Sequence, residues 1–117
     1  MRFMCLYRPD KKEGTPPTPQ EVARMGEFME KSLKSGALLE TGGLQASSKG
    51  ARVRLARGRV TVTDGPFAEA KELIAGFAIL QAKSKEEAIE MTKSFLEVAG
   101  DGETEVRLMY EPSDLPS

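Results

Sequence analysis

Apolar and polar residues alternate along two stretches of the sequence with the period of two that marks a strand buried on one face. In residues 51–63, Val53 and Leu55 alternate with arginines, and a second alternating run follows Arg57-Gly58. Glycine at the second position of a two-residue connection favours a tight turn, so this stretch predicts a β-hairpin. Residues 103–110 alternate in the same way and predict a single strand.

Three further short runs also predict strands. Residues 2–7 and 73–80 are apolar at almost every position, which is typical of strands in the centre of a sheet. Residues 37–45 begin with apolar residues and contain the pair Gly42-Gly43. A glycine pair inside a strand indicates a bulge or a close approach of another group to the backbone.

Two stretches have the 3.6-residue period of amphipathic helices. Thr18 and Ser84 are each followed three residues later by glutamate, a capping-box pattern that predicts a helix N-terminus. Gly36 and Gly100 follow the last periodic positions and predict the two C-termini. The apolar stripes are Val22, Met25, Phe28, Met29 and Leu33 in the first helix and Ala88, Met91, Phe95 and Val98 in the second.

The order of these elements predicts the fold class. It is α+β, a ferredoxin-like βαββαβ unit with an inserted β-hairpin, in which an antiparallel sheet carries both helices on one face. No third helix remains for the other face, although 2–7 and 73–80 are apolar on both sides. A monomer rarely exposes such a patch, so we expect a homodimer whose two sheets face each other. The alternative is a lid formed by the hairpin or by residues 8–17, a loop rich in proline, glycine and charge that we expect to be mobile.

Length, net charge and the distribution of apolar residues indicate the number of domains and exclude some kinds of partner. The 117 residues fit one domain, assigned to 1–111, followed by a flexible tail, 112–117, with two prolines. A net charge of −1 provides no field to attract nucleic acid or an anionic membrane, and no apolar run is long enough to span a bilayer. Without a signal peptide, a cytoplasmic location is expected.

The counts of cysteine and histidine exclude several chemistries. A single cysteine excludes an internal disulfide. With no histidine, the usual zinc sites and all Ser-His or Cys-His catalytic pairs are also excluded. Neither a metal nor another cofactor is predicted.

The stretch Asp64-Gly65-Pro66-Phe67-Ala68-Glu69-Ala70-Lys71-Glu72, with Leu73-Ile74-Ala75-Gly76-Phe77 after it, resembles the DGPF signature of the YCII-related family. The resemblance extends to Gly43-Leu44-Gln45, to 51–54 and to Glu105-Val106-Arg107. It implies a dimeric α+β barrel with a cleft between the facing sheets. The family is associated with a histidine-aspartate pair, of which this chain lacks the histidine.

Five residues are candidate ligand-binding groups: Tyr7, Asp64, Phe67, Glu69 and Arg107. Asp64 is also the candidate catalytic acid or base; the alternative is a carboxylate that caps its own turn. Phe67 is either a core anchor or a stacking surface for a ligand, and Glu69 belongs either to the site or to a solvated turn. Tyr7 offers a hydroxyl that can orient a ligand.

Alternation in the last strand places Arg107 on the face opposite Val106 and Leu108, which is the face of the expected dimer cleft. A guanidinium there can bind a carboxylate or phosphate through two hydrogen bonds. The alternative is an ion pair with Glu105, Asp64 or another acid.

Three functions remain open. The first is binding of a small organic, anionic molecule in the intersubunit cleft. The second is a lyase or isomerase-like enzyme that uses Asp64. The third is a non-catalytic regulatory module, since relatives are often encoded beside, or fused to, sigma factors of the extracytoplasmic-function type.

Overall fold

The computed structural model describes residues 1–68 and 73–116. Over these residues the chain forms six strands and two α-helices, in the predicted order. They are β1 (Arg2–Pro9), α1 (Pro19–Lys34), β2 (Leu38–Gly43), β3 (Ala51–Ala56), β4 (Arg59–Asp64), β5 (Gly76–Gln81), α2 (Lys85–Ala99) and β6 (Gly102–Leu108). Single 3-10 turns occur at Ser47–Lys49 and Pro112–Asp114, the second of which begins the predicted tail.

Four strands form one antiparallel sheet in the order β2-β5-β1-β6, and β3 and β4 form a separate two-stranded sheet. This is the ferredoxin-like α+β arrangement with an inserted hairpin, as the sequence predicts. The hairpin turn is Arg57-Gly58, and both residues have positive φ, 51° and 76°. Such dihedrals match the twist of the flanking strands.

Both helices begin and end where the capping signals predict. Thr18 Oγ1 accepts from the backbone N–H of Glu21 at 3.1 Å, and the Glu21 carboxylate accepts from the Thr18 N–H, which completes the capping box. Ser84 Oγ accepts from the Glu87 N–H at 3.1 Å. Gly36 and Gly100 follow the helices with φ of +81° and +96°, a conformation that favours glycine.

Strand boundaries differ from the sequence prediction where partner strands end. β5 begins at Gly76 rather than at residue 73, because its pairing with β1 ends at Tyr7 and its pairing with β2 ends at Gly43, both opposite Gly76. β1 continues two residues into the stretch predicted as a mobile loop, because Arg8-Pro9 pair with β6. The length of an apolar run in the sequence does not show where the adjacent strands of the sheet end, so it does not fix the boundary of its own strand.

Of the two alternatives that the glycine pair of β2 indicated, a bulge or a close approach, the structure has the close approach at the pair, and a bulge occurs elsewhere in the strand. The register shifts between Leu38 and Glu40, which is the bulge. At Gly42 an added Cβ would lie 2.8 Å from the ring of Phe77, so the ring occupies the space that a side chain would need. The close approach therefore falls at the glycine, and the bulge lies before it.

The alternation of β1 assigns the two faces of the four-stranded sheet. Cys5 is buried beneath α2, where its Sγ lies 3.9 Å from Thr92 Oγ1. The buried core consists of Phe3, Cys5, Leu38, Leu80, Ala82 and Ala88. We call the opposite face, which carries Met4 and Leu6, the open face.

Candidate functional site

A cavity of about 500 Å³ lies between the two helices and the helix-facing side of the sheet. Helix α1 contributes Met25, Phe28, Met29 and Ser32, and α2 contributes Met91, Thr92, Ser94 and Phe95. The sheet contributes Cys5, Tyr7, Leu38, Thr41, Gly76, Ala78, Leu80 and Thr104, among others. None of the described lining residues is charged. This is the volume and character expected of a pocket for a small organic molecule.

Small residues in the floor of the cavity leave this space open. Ala78 and Gly76 of β5 and Thr41 of β2 lie beneath α1, whose Met25 and Met29 form part of the roof. Side chains this short do not reach the helix, whereas protein interiors are normally packed to the density of organic crystals. An apolar space of this kind can accept apolar guests.

Three aromatic rings form one wall. Phe95 meets Tyr7 edge to face, with ring centroids 5.1 Å apart and planes at 88°, and it lies 6.4 Å from Phe28. Gly102 makes room for this arrangement, because an added Cβ there would lie 2.9 Å from Tyr7 Cε1 and 2.7 Å from the Arg8 carbonyl oxygen. Burial raises the pKa of Tyr7, so its phenol stays protonated near neutral pH and can donate a hydrogen bond.

Most hydroxyl groups of the lining already donate to the backbone. Thr92 donates to the Ala88 carbonyl at 2.8 Å, Ser32 to that of Phe28 at 2.9 Å, and Thr41 to that of Phe77 at 2.9 Å. Thr104 is different: its buried Oγ1 has no hydrogen-bond partner among the described residues. An unsatisfied buried hydroxyl costs about 1–3 kcal/mol.

Cys5 is a core residue rather than a reactive thiol. Its side chain is buried and lines the cavity. Burial raises the pKa of the thiol, which keeps it protonated and weakly nucleophilic at neutral pH.

The DGPF turn lies against a different part of the chain. Asp64, at the end of β4, is exposed, and Phe67 is half-buried, with its ring 3.9 Å beneath the guanidinium of Arg52. The backbone N–H of Phe67 donates to Ser47 Oγ at 3.0 Å. Phe67 is therefore fixed by its main chain and by a cation–π contact. A catalytic role for Asp64 stays a prediction.

Sequence reasoning missed two residues that hold this turn. Ser47 Oγ donates to Glu13 Oε2 at 2.9 Å, and the Ser47 N–H donates to the other carboxylate oxygen. Glu13 lies in the stretch predicted to be a mobile loop, and no periodicity or motif marks it. Only the folded chain brings Glu13, Ser47 and Phe67 together.

Arg107 lies on the open face, as alternation predicts, since it pairs with Met4 while Val106 pairs with Cys5. Its Nη1 donates to Glu105 at 3.0 Å, and Arg8 lies 3.3 Å from the same carboxylate. The hydrogen bond from Arg107 and the charge of Arg8 lower the pKa of Glu105. Of the two alternatives expected for Arg107, ligand binding and an ion pair, the structure has the ion pair, with Glu105.

The predicted site residues do not share one surface. Tyr7 faces the cavity, Arg107 lies on the opposite face of the sheet, and Asp64 and Phe67 belong to the turn after the hairpin. Glu69 lies outside the described residues. The cavity instead joins Tyr7 to Thr104 and Phe95, neither of which the sequence singled out as a ligand-binding group.

The described residues contain neither a metal-binding cluster of side chains nor a membrane-spanning helix. In 1–68 and 73–116 no group of three or more Cys, Asp or Glu side chains is placed to hold a metal ion. Neither described helix has the length and apolar character needed to cross a bilayer.

Comparison with known proteins identifies the family. Residues 1–111 match the profile of the YCII-related domain. A protein of Rhizobium meliloti (strain 1021), described as uncharacterised, is 33% identical over 90 residues, which cover 74% of this chain and 73% of its own length. On this match over almost its whole length, the chain belongs to the YCII-related family.

Proposed function

We propose that the protein binds a small, largely apolar organic molecule in the cavity between its helices and its sheet. The observation that carries this proposal is an apolar cavity of about 500 Å³ inside a single protomer. Binding pockets for small molecules commonly combine such a volume with a few polar groups that fix orientation.

The lining also limits the chemistry of the ligand. The Tyr7 phenol is the polar group that we propose the guest meets, whereas the Thr104 hydroxyl is enclosed by protein atoms. Burying an unpaired charge costs far more than burying a hydroxyl, and no charged residue is among the described lining. We therefore propose a neutral ligand with an apolar body and a single hydrogen-bonding group, in place of the anion expected for an intersubunit cleft.

Filling the floor of the cavity tests the proposal. N-phenyl-1-naphthylamine, a neutral fluorophore that brightens in apolar surroundings, is the probe. We expect Ala78→Leu to weaken its binding at least tenfold, because the larger side chain occupies the space below α1. Titration of the 117-residue chain gives the dissociation constants, and thermal unfolding shows whether each variant is folded.

The matched control is Ala23→Leu, the same substitution at an exposed position of α1. It should bind the probe like the wild type. Equal affinities for both variants, or a wild type that does not bind the probe at all, would contradict the proposal.

We further propose a homodimer in which the open faces of two sheets meet. Support comes from two apolar cross-strand pairs at the centre of that face, Met4 with Ile79 and Leu6 with Phe77. These side chains are only half-buried in one protomer, and both helices cover the other face. Apolar surface of this kind is commonly covered by a partner.

Leu6→Asp should convert a dimer to a monomer, because it would place a carboxylate in the centre of the apolar contact. Sedimentation equilibrium at micromolar concentrations measures the change. Leu115→Asp, at an exposed leucine close to the C-terminus, is the control and should not alter the mass. A Leu6→Asp variant that sediments like the wild type would exclude the open face as the interface.

A further inference from the structure

The β3–β4 hairpin exposes a complete apolar face. Val53 lies opposite Val62, and Leu55 opposite Val60, so that four apolar side chains form two adjacent cross-strand pairs. Their exposed fractions are 70% for Val53 and Leu55, 64% for Val60 and 63% for Val62. We call residues 51–63 the arm.

The arm receives little support from residues 1–68 and 73–116 of its own protomer. Its two strands hydrogen-bond to each other in a sheet separate from the four-stranded sheet. At its base, the N–H of Gly65 donates to the Gly50 carbonyl at 3.0 Å, and Arg52 lies over Phe67. A two-stranded hairpin is marginally stable in water unless its apolar face is covered. The regular pairing of the arm therefore points to a covering surface outside this protomer.

Charge identifies the kind of surface. The arm contains four arginines and no acidic residue, a charge of +4. Because the whole chain carries −1, the rest of the sequence carries −5. Arg52, Arg54 and Arg59 project from the face opposite the apolar one, so their charge lies outside the apolar contact itself. It acts over a longer range, where it disfavours the approach of two arms and favours the approach of an arm to a body of opposite net charge.

From these observations we propose that the arm of each protomer packs its apolar face against the helix-and-sheet body of a second copy of this chain. The exchange is reciprocal, which gives a closed two-fold assembly. This contact rests on the proposed homodimer and adds to its open-face contact a second one, which the arm variants below test separately from Leu6→Asp. It uses a different surface from the cavity, so it is independent of the proposed ligand.

The area suits a stable contact. From their exposures, the four side chains of one arm present on the order of 400 Å². Two docked arms and the surfaces that receive them would together remove about 1,600 Å² from water, the size of a standard stable interface.

A matched pair of double variants of the 117-residue chain tests the proposal. Val60→Gln with Val62→Gln changes the apolar face of β4, and Thr61→Gln with Thr63→Gln makes the same change on its other face. Neither pair alters the charge. Sedimentation equilibrium should show a dimer dissociation constant at least tenfold higher for the first pair and within about threefold of wild type for the second. Equal constants for wild type and the valine variant, equal weakening by both variants, or a monomeric wild type at 100 µM would overturn the proposal.

Salt and cross-linking then test which surface receives the arm. Attraction between opposite charges predicts that the dissociation constant rises as sodium chloride increases from 50 to 500 mM, whereas contact between two arms predicts a fall. A photoreactive p-benzoylphenylalanine in place of Val62 should cross-link to body peptides of a second, isotopically labelled copy. Cross-links only to arm peptides, or only within one chain, would contradict the proposal.

Discussion

Phe95→Ala is expected to lower the free energy of unfolding by about 3 kcal/mol, the lower end of the range for truncating a core phenylalanine. Phe95 joins the two sides of the cavity wall, since its ring contacts Tyr7 of β1 edge to face and Phe28 of α1 at 6.4 Å. Its removal deletes both aromatic contacts and enlarges a space that is already unfilled. The cost stays near the lower end of the range because the ring is only half-buried.

Chemical denaturation at one fixed protein concentration measures the change, since self-association would make apparent stability depend on concentration. Tyr110→Ala is the control, because it truncates an aromatic ring that is 74% exposed, and it should cost less than about 0.5 kcal/mol. A Phe95→Ala variant within about 1 kcal/mol of wild type would show that the ring does not support the wall.

Much of the fold follows from local signals in the sequence. The capping residues Thr18 and Ser84 accept hydrogen bonds from the predicted backbone groups, and Arg57-Gly58 forms the predicted turn. These features depend on neighbours a few residues away, which the sequence shows directly. Alternation also gave the correct face for Arg107, because the period of a strand fixes the side from which each side chain projects.

The candidate site was harder to predict because it depends on distant residues. Tyr7 and Arg107 are both polar groups on adjacent strands, but Tyr7 pairs with Thr104, and Arg107 with Met4, so they face opposite sides. The register between β1 and β6 determines this, and no local pattern in the sequence fixes it. The cavity is the space left between α1 and the small residues of β5. Its existence depends on how the helix packs on the sheet, which no local sequence pattern shows.

Gly65→Ala is expected to cost about 3 kcal/mol, the upper end of the cost of overfilling a packed site. An added Cβ would lie 1.7 Å from the carbonyl oxygen of Ser47 and 2.5 Å from its carbonyl carbon. Both atoms belong to the backbone, so no side-chain rotation relieves the contact. The turn must separate from the 3-10 turn at Ser47–Lys49, which breaks the bonds from the Gly65 N–H to Gly50 and from the Phe67 N–H to Ser47.

Gly50→Ala is a close control, because its added Cβ would lie 3.6 Å from the same Ser47 oxygen, an ordinary contact, and its φ of −124° suits any residue. Chemical denaturation should give free energies of unfolding for the two variants that differ by at least about 2 kcal/mol. In NMR spectra of Gly65→Ala, the backbone amide signals of Ser47 and Phe67 should shift most. Equal stability would mean that the turn does not lie against Ser47. The expected difference in stability would explain why the DGPF signature has glycine at position 65. A residue with a side chain would not fit between the turn after Asp64 and the backbone of Ser47.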